Sequence, residues 1–110
     1  MLMTLYHEVL HAQDAFVLSK GHAVGAVYIT LWSIGALSDD DLRSFHKDGT
    51  RLSGHSPQQG IPEILFATGS LGHGLSLSCG LALAKKLKQE PGRVLVPIHL
   101  GETNAVLRRR

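Results

Sequence analysis

The feature that most constrains the fold of this 110-residue chain is a glycine-rich turn that runs directly into an apolar segment. Residues 67–76 read Ala-Thr-Gly-Ser-Leu-Gly-His-Gly-Leu-Ser, which places three glycines around His73. Glycine fits where a backbone turns tightly or approaches another group closely. A turn of this kind at the start of a helix also leaves backbone N–H groups free to face an anion or a polar ring. The stretch therefore predicts a ligand-facing turn followed by a helix over residues 75–88.

Two more turns place a histidine beside a glycine. Residues 19–22 read Ser-Lys-Gly-His and precede an apolar helix predicted over 23–34, whereas residues 53–56 read Ser-Gly-His-Ser within an aperiodic loop over 50–64. The helix dipole disfavours a cationic His22 at a helix start, so a neutral imidazole is expected there. Taken alone, His22 also fits a plain polar helix-start residue, and His55 an ordinary loop histidine.

Alternating helical and extended segments predict an α/β domain with a parallel sheet. Helices are expected over 1–12 and over 38–47, the latter with Ser38 as N-cap, and strands or extended segments over 14–18 and 93–96. Small residues at Gly74, Gly80 and Ala82 favour close helix packing, and Cys79 is expected to be buried and inert. The residues predicted to face the core of the two long helices are Val24, Val27, Tyr28, Leu31 and Ile34 in the first, and Leu77, Leu81, Ala84 and Leu87 in the second.

Composition excludes several classes of protein. Apolar residues make up 44% and charged residues 18%, which is typical of a packed domain. The net charge of +2 depends on the arginine run 108–110, so no nucleic-acid-binding face is predicted. No apolar run is long enough to cross a membrane, and a single cysteine suits the reducing cytoplasm. His7 and His11 have helical i, i+4 spacing, but two solvated histidines are favoured over a metal site because no third ligand is near.

Three motifs together carry a family resemblance. The stretches 16–23 (Phe-Val-Leu-Ser-Lys-Gly-His-Ala), 54–55 (Gly-His) and 68–76 resemble transketolases, above all the N-terminal subunit of split bacterial transketolases. The resemblance covers about residues 1–96. It implies an incomplete thiamine-diphosphate-binding α/β domain, with helices around a partial parallel sheet. It also implies transfer of a two-carbon ketol unit between sugar phosphates with thiamine diphosphate and magnesium, at a site shared with a partner transketolase subunit or a second copy of the chain.

The same resemblance implies roles for six residues. His22 matches a histidine beside the cofactor diphosphate and the substrate, and His55 matches one that faces the substrate and the reactive thiazolium; both are the catalytic candidates. His73 stands where most members have glutamine, and either side chain can form a hydrogen bond. Main-chain contacts to the aminopyrimidine are implied for Gly69, Ser70 and Leu71.

The chain departs from the family pattern near its C-terminal end. Leu100 stands where the family has the aspartate that binds magnesium, and leucine has no ligating atom. Glu102 is displaced by two residues, and Pro97 is unsuited to a central strand, so no metal ligand is assigned. The connection before the 16–23 motif is short as well. We therefore expect a truncated product: a partial domain over 1–98 and a divergent, disordered tail over 99–110.

Three hypotheses follow from these features. The first is a transketolase-type enzyme fragment that lacks turnover by itself. The second is a non-catalytic module that pairs with an intact homologue through the helices over 23–34 and 75–88. The third is a decayed product without a selected function.

Overall fold

A computed structural model of the chain describes residues 1–57 and 60–98. The described residues contain helices and two short strands, consistent with the predicted α/β domain, and two of the helices are long enough to organise the packing. The elements in chain order are α1 (Leu2–Thr4), a π-helical stretch (Leu5–Val9), β1 (Ala15–Phe16), a 3-10 turn (Gly21–Ala23), α2 (Val24–Ser33), α3 (Asp39–Arg43), α4 (His73–Lys88) and β2 (Val94–Leu95).

The two strands pair in parallel, which confirms the predicted sheet type. Ala15 lies opposite Val94 and Phe16 opposite Leu95. β1 is buried, but β2 is only half-buried. The strand expected over 93–96 is thus present as a shorter, half-buried strand, and it has a single neighbouring strand among the described residues.

A carboxylate–guanidinium pair locks the start of each strand to the other. The Arg93 guanidinium donates to the Asp14 carboxylate at 2.6 Å, and the Arg93 backbone N–H donates to the other Asp14 oxygen at 2.6 Å. The Asp14 side chain is only 3% exposed. These hydrogen bonds from Arg93 hold the pKa of Asp14 well below its usual range. Together with the ladder they fix the turn that follows α4 against the segment that precedes β1.

α2 lies at the centre of the core. It buries five of its ten residues, as expected for a helix with apolar side chains on most of its surface. Four of the predicted core positions are confirmed, whereas Ile34 is 42% exposed because the helix ends at Ser33. The buried residues of the helix are Val24, Val27, Tyr28, Thr30 and Leu31.

The predicted capping of the third helix is confirmed, but the helix is shorter than expected. The Ser38 hydroxyl accepts from the Asp41 backbone N–H at 3.1 Å, and the Asp41 carboxylate accepts from the Ser38 backbone N–H at 2.9 Å, so the two residues form a capping box. The helix ends at Arg43 rather than at residue 47, since His46 takes a left-handed φ of 61°. The backbone N–H of His46 turns instead to the Leu52 carbonyl.

The N-terminal helical segment ends at Val9 instead of residue 12. Its apolar side chains Leu2, Leu5 and Tyr6 pack against the core, and Leu10 joins them just after the segment ends. Val9, the last residue of the segment, is exposed. The segment stops there because the backbone of Leu10 is extended.

α4 begins two residues before the predicted helix and ends where predicted, but its buried face is smaller than expected. Only Gly74 and Ser78 are buried. Leu87 is 75% exposed and Cys79 is exposed, so both were wrongly predicted to lie inside. Gly74 is tightly packed as expected, whereas Gly80 has open space where a Cβ would stand. An apolar period marks a stripe on a helix without specifying what covers it.

Two further expectations from the sequence concern membrane-spanning segments and the C-terminal end of the chain. Every helix among the described residues is too short or too polar to traverse a bilayer. The expectations for Leu100 and for a tail over 99–110 concern residues outside the described ranges.

Candidate functional site

The first of the three histidine–glycine turns packs directly against the glycine-rich turn. A Cβ at Gly21 would lie 1.8 Å from the Thr68 carbonyl oxygen and 2.9 Å from the Gly69 nitrogen. No side chain fits in that space, so glycine is required for the two backbones to meet. The Thr68 hydroxyl closes the contact by donating to the Leu18 carbonyl at 2.5 Å.

The N-terminal turn of α4 is fixed against the same segment. A Cβ at Gly74 would lie 2.4 Å from the Ser19 Cα, a contact that again only glycine allows. Gly72 is the N-cap and has a left-handed φ of 80°. Because its side chain is a hydrogen, no side chain caps the first N–H groups of α4.

The loop that carries His55 is held on the other side of the glycine-rich turn. The ring carbon Cδ2 of His55 lies 3.6 Å from the position of a Cβ on Gly69, an ordinary van der Waals separation. The Ser56 and Thr68 hydroxyls are 3.4 Å apart and both are buried. Within the loop, the Ser53 hydroxyl donates to the His55 carbonyl at 2.6 Å.

A buried tyrosine of α2 anchors this loop to the core. The Tyr28 hydroxyl donates to the Ser53 carbonyl at 2.9 Å. Burial raises the pKa of Tyr28, so the hydroxyl stays protonated and remains a donor at neutral pH. The position of His55 is therefore tied to the best-packed helix in the structure.

The structure brings the predicted site residues into one neighbourhood. The His55 ring lies beside Gly69, while His22 follows Gly21 and His73 precedes Gly74, so both of these histidines adjoin the packed glycines. The described hydrogen bonds do not involve the imidazoles of His22, His55 or His73. All six predicted residues are exposed: His22, His55, Gly69, Ser70, Leu71 and His73.

Sequence reasoning missed the residues that support this cluster. Ser19 is fully buried, and its hydroxyl has no hydrogen-bond partner in the described part of the chain. Thr68 and Ser56 join two of the turns. The His46 ring packs beneath the loop, since a Cβ at Gly54 would lie 2.4 Å from its Cε1. A serine or threonine within or beside each histidine–glycine turn could have indicated these supporting hydroxyls. Nothing in the sequence pointed to His46.

The exposed residues suit an anionic ligand that carries a polar ring. The N-terminus of the 16-residue α4 has no side-chain cap and bears a partial positive charge. The His73 N–H donates to the Ser70 carbonyl at 3.1 Å, and the N–H groups that follow it favour an anion. The adjoining imidazoles can donate or accept hydrogen bonds. Among residues 1–57 and 60–98, no group of three or more histidine, cysteine or acidic side chains is arranged to hold a metal ion.

Comparison with known proteins identifies the family of the chain. Residues 6–93 match the family described as transketolase, thiamine diphosphate binding domain. The chain is 36% identical over 111 residues to one subunit of the apulose-4-phosphate transketolase of Phocaeicola vulgatus, an alignment that covers 93% of this chain and 39% of that protein. It is 43% identical over 74 residues to transketolase 1 of Saccharomyces cerevisiae, and 42% identical over 74 residues to human transketolase.

The chain therefore belongs to the transketolase family, and its matched part is the thiamine-diphosphate-binding domain. The alignments with the yeast and human proteins each cover 66% of this chain, and 11% and 12% of those proteins. The chain thus spans about two fifths of the apulose-4-phosphate transketolase subunits and a much smaller share of the long transketolases. The resemblance inferred from the three motifs is confirmed, as is an α/β domain with a small parallel sheet.

Proposed function

We propose that this chain supplies the thiamine-diphosphate-binding side of a transketolase site that a second chain completes. One observation supports the proposal above all: the three histidine–glycine turns converge, with Gly21 packed on Thr68 and Gly69, and Gly69 beside the His55 ring. The residues around these contacts are exposed rather than enclosed. Such an open arrangement suits a ligand that is covered from the other side by a partner transketolase subunit or by a second copy of this chain.

The residues of the cluster fit the cofactor. When bound, thiamine diphosphate supplies the electron sink for the carbanion chemistry of ketol transfer. Gly69, Ser70 and Leu71 would offer backbone groups to its aminopyrimidine, and His73 would add a hydrogen bond. The uncapped start of α4 and the nearby His22 would favour its anionic diphosphate.

His22 and His55 are proposed to act on the substrate. An imidazole at neutral pH can hold a hydroxyl or carbonyl oxygen and can donate or accept its proton. Two relatives are named for apulose 4-phosphate, a sugar phosphate, and a sugar phosphate is the corresponding substrate class for this chain. Transfer of a two-carbon ketol unit between such molecules is the proposed reaction.

Magnesium is proposed to contribute less to cofactor binding here than in the rest of the family. No metal-binding group is found among the described residues, and Leu100 offers no ligating atom at the expected aspartate position. Calorimetric titration with thiamine diphosphate, with and without magnesium, measures this directly. A large gain in affinity on adding magnesium would show that other residues bind the ion.

The central test mixes the purified chain with a partner chain that carries the remaining transketolase domains. We expect the mixture to transfer ketol units and the isolated chain to show no turnover. His22→Ala and His55→Ala are each expected to lower the rate by about 10²-fold, the usual contribution of one acid–base group. His7→Gln is the matched control, because His7 bonds to Ser33 at 3.0 Å, outside the cluster. No cofactor binding and no turnover in the mixture would contradict the proposal.

A non-catalytic pairing module is the second candidate function. It is favoured by large apolar side chains exposed on the two long helices: Ile29 is 54%, Trp32 42%, Leu83 57% and Leu87 75% exposed. Such residues mark interaction surfaces when they lie together. Co-elution with an intact transketolase that is unchanged by His55→Ala but abolished by Leu83→Glu, in the absence of cofactor binding, would favour pairing over catalysis.

We propose the cytoplasm as the compartment. Cys79 is the single cysteine of the sequence and is exposed, so the chain has no internal disulfide and carries a thiol that a reducing environment preserves. Fractionation of cells that express the chain tests this, and recovery in a secreted or membrane fraction would contradict it.

A further inference from the structure

The loop that carries His55 packs on a second imidazole, that of His46. The position of a Cβ on Gly54 lies 2.4 Å from the His46 Cε1, 2.8 Å from its Nε2 and 3.4 Å from its Nδ1. Gly54 does not have a left-handed φ, so its φ is compatible with a side chain. The His46 ring is therefore what leaves room only for glycine at this position, and the two residues form a matched contact.

An uncommon backbone conformation places His46 under the loop. Its φ of 61° lies in the left-handed region, which residues other than glycine adopt rarely. Its backbone N–H donates to the Leu52 carbonyl at 3.2 Å, and its ring packs edge-on against Phe45 with the centroids 4.3 Å apart. Conformations of this kind persist only where the surrounding structure holds them, and they concentrate at functional sites.

Two connections run from the buried Tyr28 to this loop. In the first, the Tyr28 hydroxyl donates to the Ser53 carbonyl at 2.9 Å. In the second, the Tyr28 ring packs edge-on against Phe45 with the centroids 5.7 Å apart, and Phe45 packs against the His46 ring under Gly54. Ser53 and Gly54 directly precede the site histidine of the loop. The height of that histidine above the core is therefore fixed by one hydrogen bond and by one stack of rings.

We propose that His46 is a positioning residue for His55, because the outer atoms of its ring, Cε1 and Nε2, set how closely the loop approaches Gly69. This inference rests on the proposed role of His55 at the substrate. A small displacement of an acid–base group slows the chemical step strongly, since the group must lie within hydrogen-bond reach of the proton it moves. The cofactor side of the site depends on the glycine-rich turn and the start of α4, so cofactor binding should not depend on the His46 ring.

The substitution His46→Asn removes only the part of the ring that touches the loop. Asparagine tolerates a left-handed φ and has an atom near the place of Nδ1, but none at Cε1 or Nε2. In the full chain we expect a weaker NOE between the His55 Hδ2 and the Gly69 Hα protons, because Cδ2 lies 3.6 Å from the Cβ position of Gly69. In the mixture with the partner chain, kcat should fall by about tenfold. The Kd for thiamine diphosphate should stay within about twofold.

A methyl group on residue 54 should reverse this loss. Gly54→Ala alone collides with the His46 ring, so it should also weaken the NOE and lower kcat by about tenfold. In the His46→Asn background the methyl group has room and occupies the place of the missing ring atoms. The double variant should therefore regain the NOE and a kcat within about threefold of the unsubstituted chain, whereas independent effects would multiply.

The control is Lys47→Asn, the same replacement at the next residue, which is exposed; it should change neither the NOE nor kcat. Thermal unfolding shows that each variant is folded. An unchanged NOE in both single variants, losses that multiply in the double variant, or equal effects of Lys47→Asn and His46→Asn would overturn the inference. If the unsubstituted mixture has no turnover, the proposed function fails, and the NOE in the chain alone still decides whether His46 positions the loop.

Discussion

The two long helices of this protein are built in opposite ways. α2 buries five of its ten residues and lies inside the core, whereas the longer α4 buries two of its sixteen, Gly74 and Ser78. α2 is held along its whole length by side-chain packing. α4 is fixed at its first turn, where Gly74 meets Ser19, and near its end, where Lys85 donates to backbone carbonyls in the turns that precede β1 and β2. The comparison teaches that a helix can be positioned by its ends when its N-terminal turn belongs to the site.

The largest effect is expected from shortening a leucine in each helix. Leu31 is fully buried in α2, so Leu31→Ala should lower the free energy of unfolding by about 2–5 kcal/mol. Leu83 is 57% exposed in α4, so Leu83→Ala should change it by less than about 0.5 kcal/mol. Urea denaturation of both variants measures the difference. Equal losses would mean that α4 is covered in solution, for example by a second copy of the chain.

Two glycines of α4 have different surroundings, one in the packed first turn and one in the exposed middle of the helix. A Cβ at Gly74 would collide with Ser19, so Gly74→Ala should destabilise the fold by about 1–3 kcal/mol. Gly80 has no neighbour within 4 Å, so Gly80→Ala should stabilise it by about 0.5–1 kcal/mol through higher helix propensity. Thermal melts report both signs. Destabilisation by Gly80→Ala would contradict the open surface around α4.

A smaller effect is expected at the contact between the two turns. The Ser19 hydroxyl is buried without a partner among the described residues, so Ser19→Ala should be neutral or stabilise the fold by up to about 1 kcal/mol. Ser56→Ala is the comparison, because it removes a buried hydroxyl that lies 3.4 Å from Thr68. Chemical denaturation compares the two variants. A loss of stability in Ser19→Ala larger than in Ser56→Ala would mean that the Ser19 hydroxyl is bonded in solution.

The smallest effect is expected in the pH dependence of stability, through the Asp14–Arg93 pair beyond the C-terminal end of α4. Hydrogen bonding to Arg93 lowers the pKa of Asp14 in the folded chain. The stabilisation by this pair is therefore complete above the pKa of Asp14 in the unfolded chain, about 4, and is lost as the pH falls from there through the lower folded-state pKa. Asp14→Asn should therefore flatten the decline in stability between about pH 5 and pH 2, and should lower stability at neutral pH. The exposed Asp40→Asn is the control. An unchanged acid profile in Asp14→Asn would exclude the pair as a source of stability.

The sequence predicted those parts of the fold in which local chemistry is sufficient. The capping box at Ser38, the core face of α2 and the glycine-rich turn before α4 each depend on residues close together in the chain. The environment of Cys79 and Leu87 was predicted wrongly because periodicity cannot reveal whether another element covers a helix face. The neighbours of a helix face come from distant parts of the chain.

The sequence predicted which residues form the candidate site, but it predicted only part of how they are held together. Three histidine–glycine turns indicated that His22, His55 and His73 belong together. The steric reason is visible only in three dimensions, since Gly21 must clear the Thr68 carbonyl from a position 47 residues away along the chain. His46, which supports the loop from below through a left-handed backbone, gave no sequence signal.

The pairing of β1 with β2 has a kinetic consequence for this chain. Asp14 and Arg93 are separated by 79 residues, so the strand pair closes a loop that contains most of the described domain. The entropic cost of closing a loop rises with its length, and contacts between distant residues slow folding. We expect α2 and its neighbours to form first and the strand pair to form last. During synthesis on the ribosome, β1 must therefore wait with its edge unpaired until β2 has emerged.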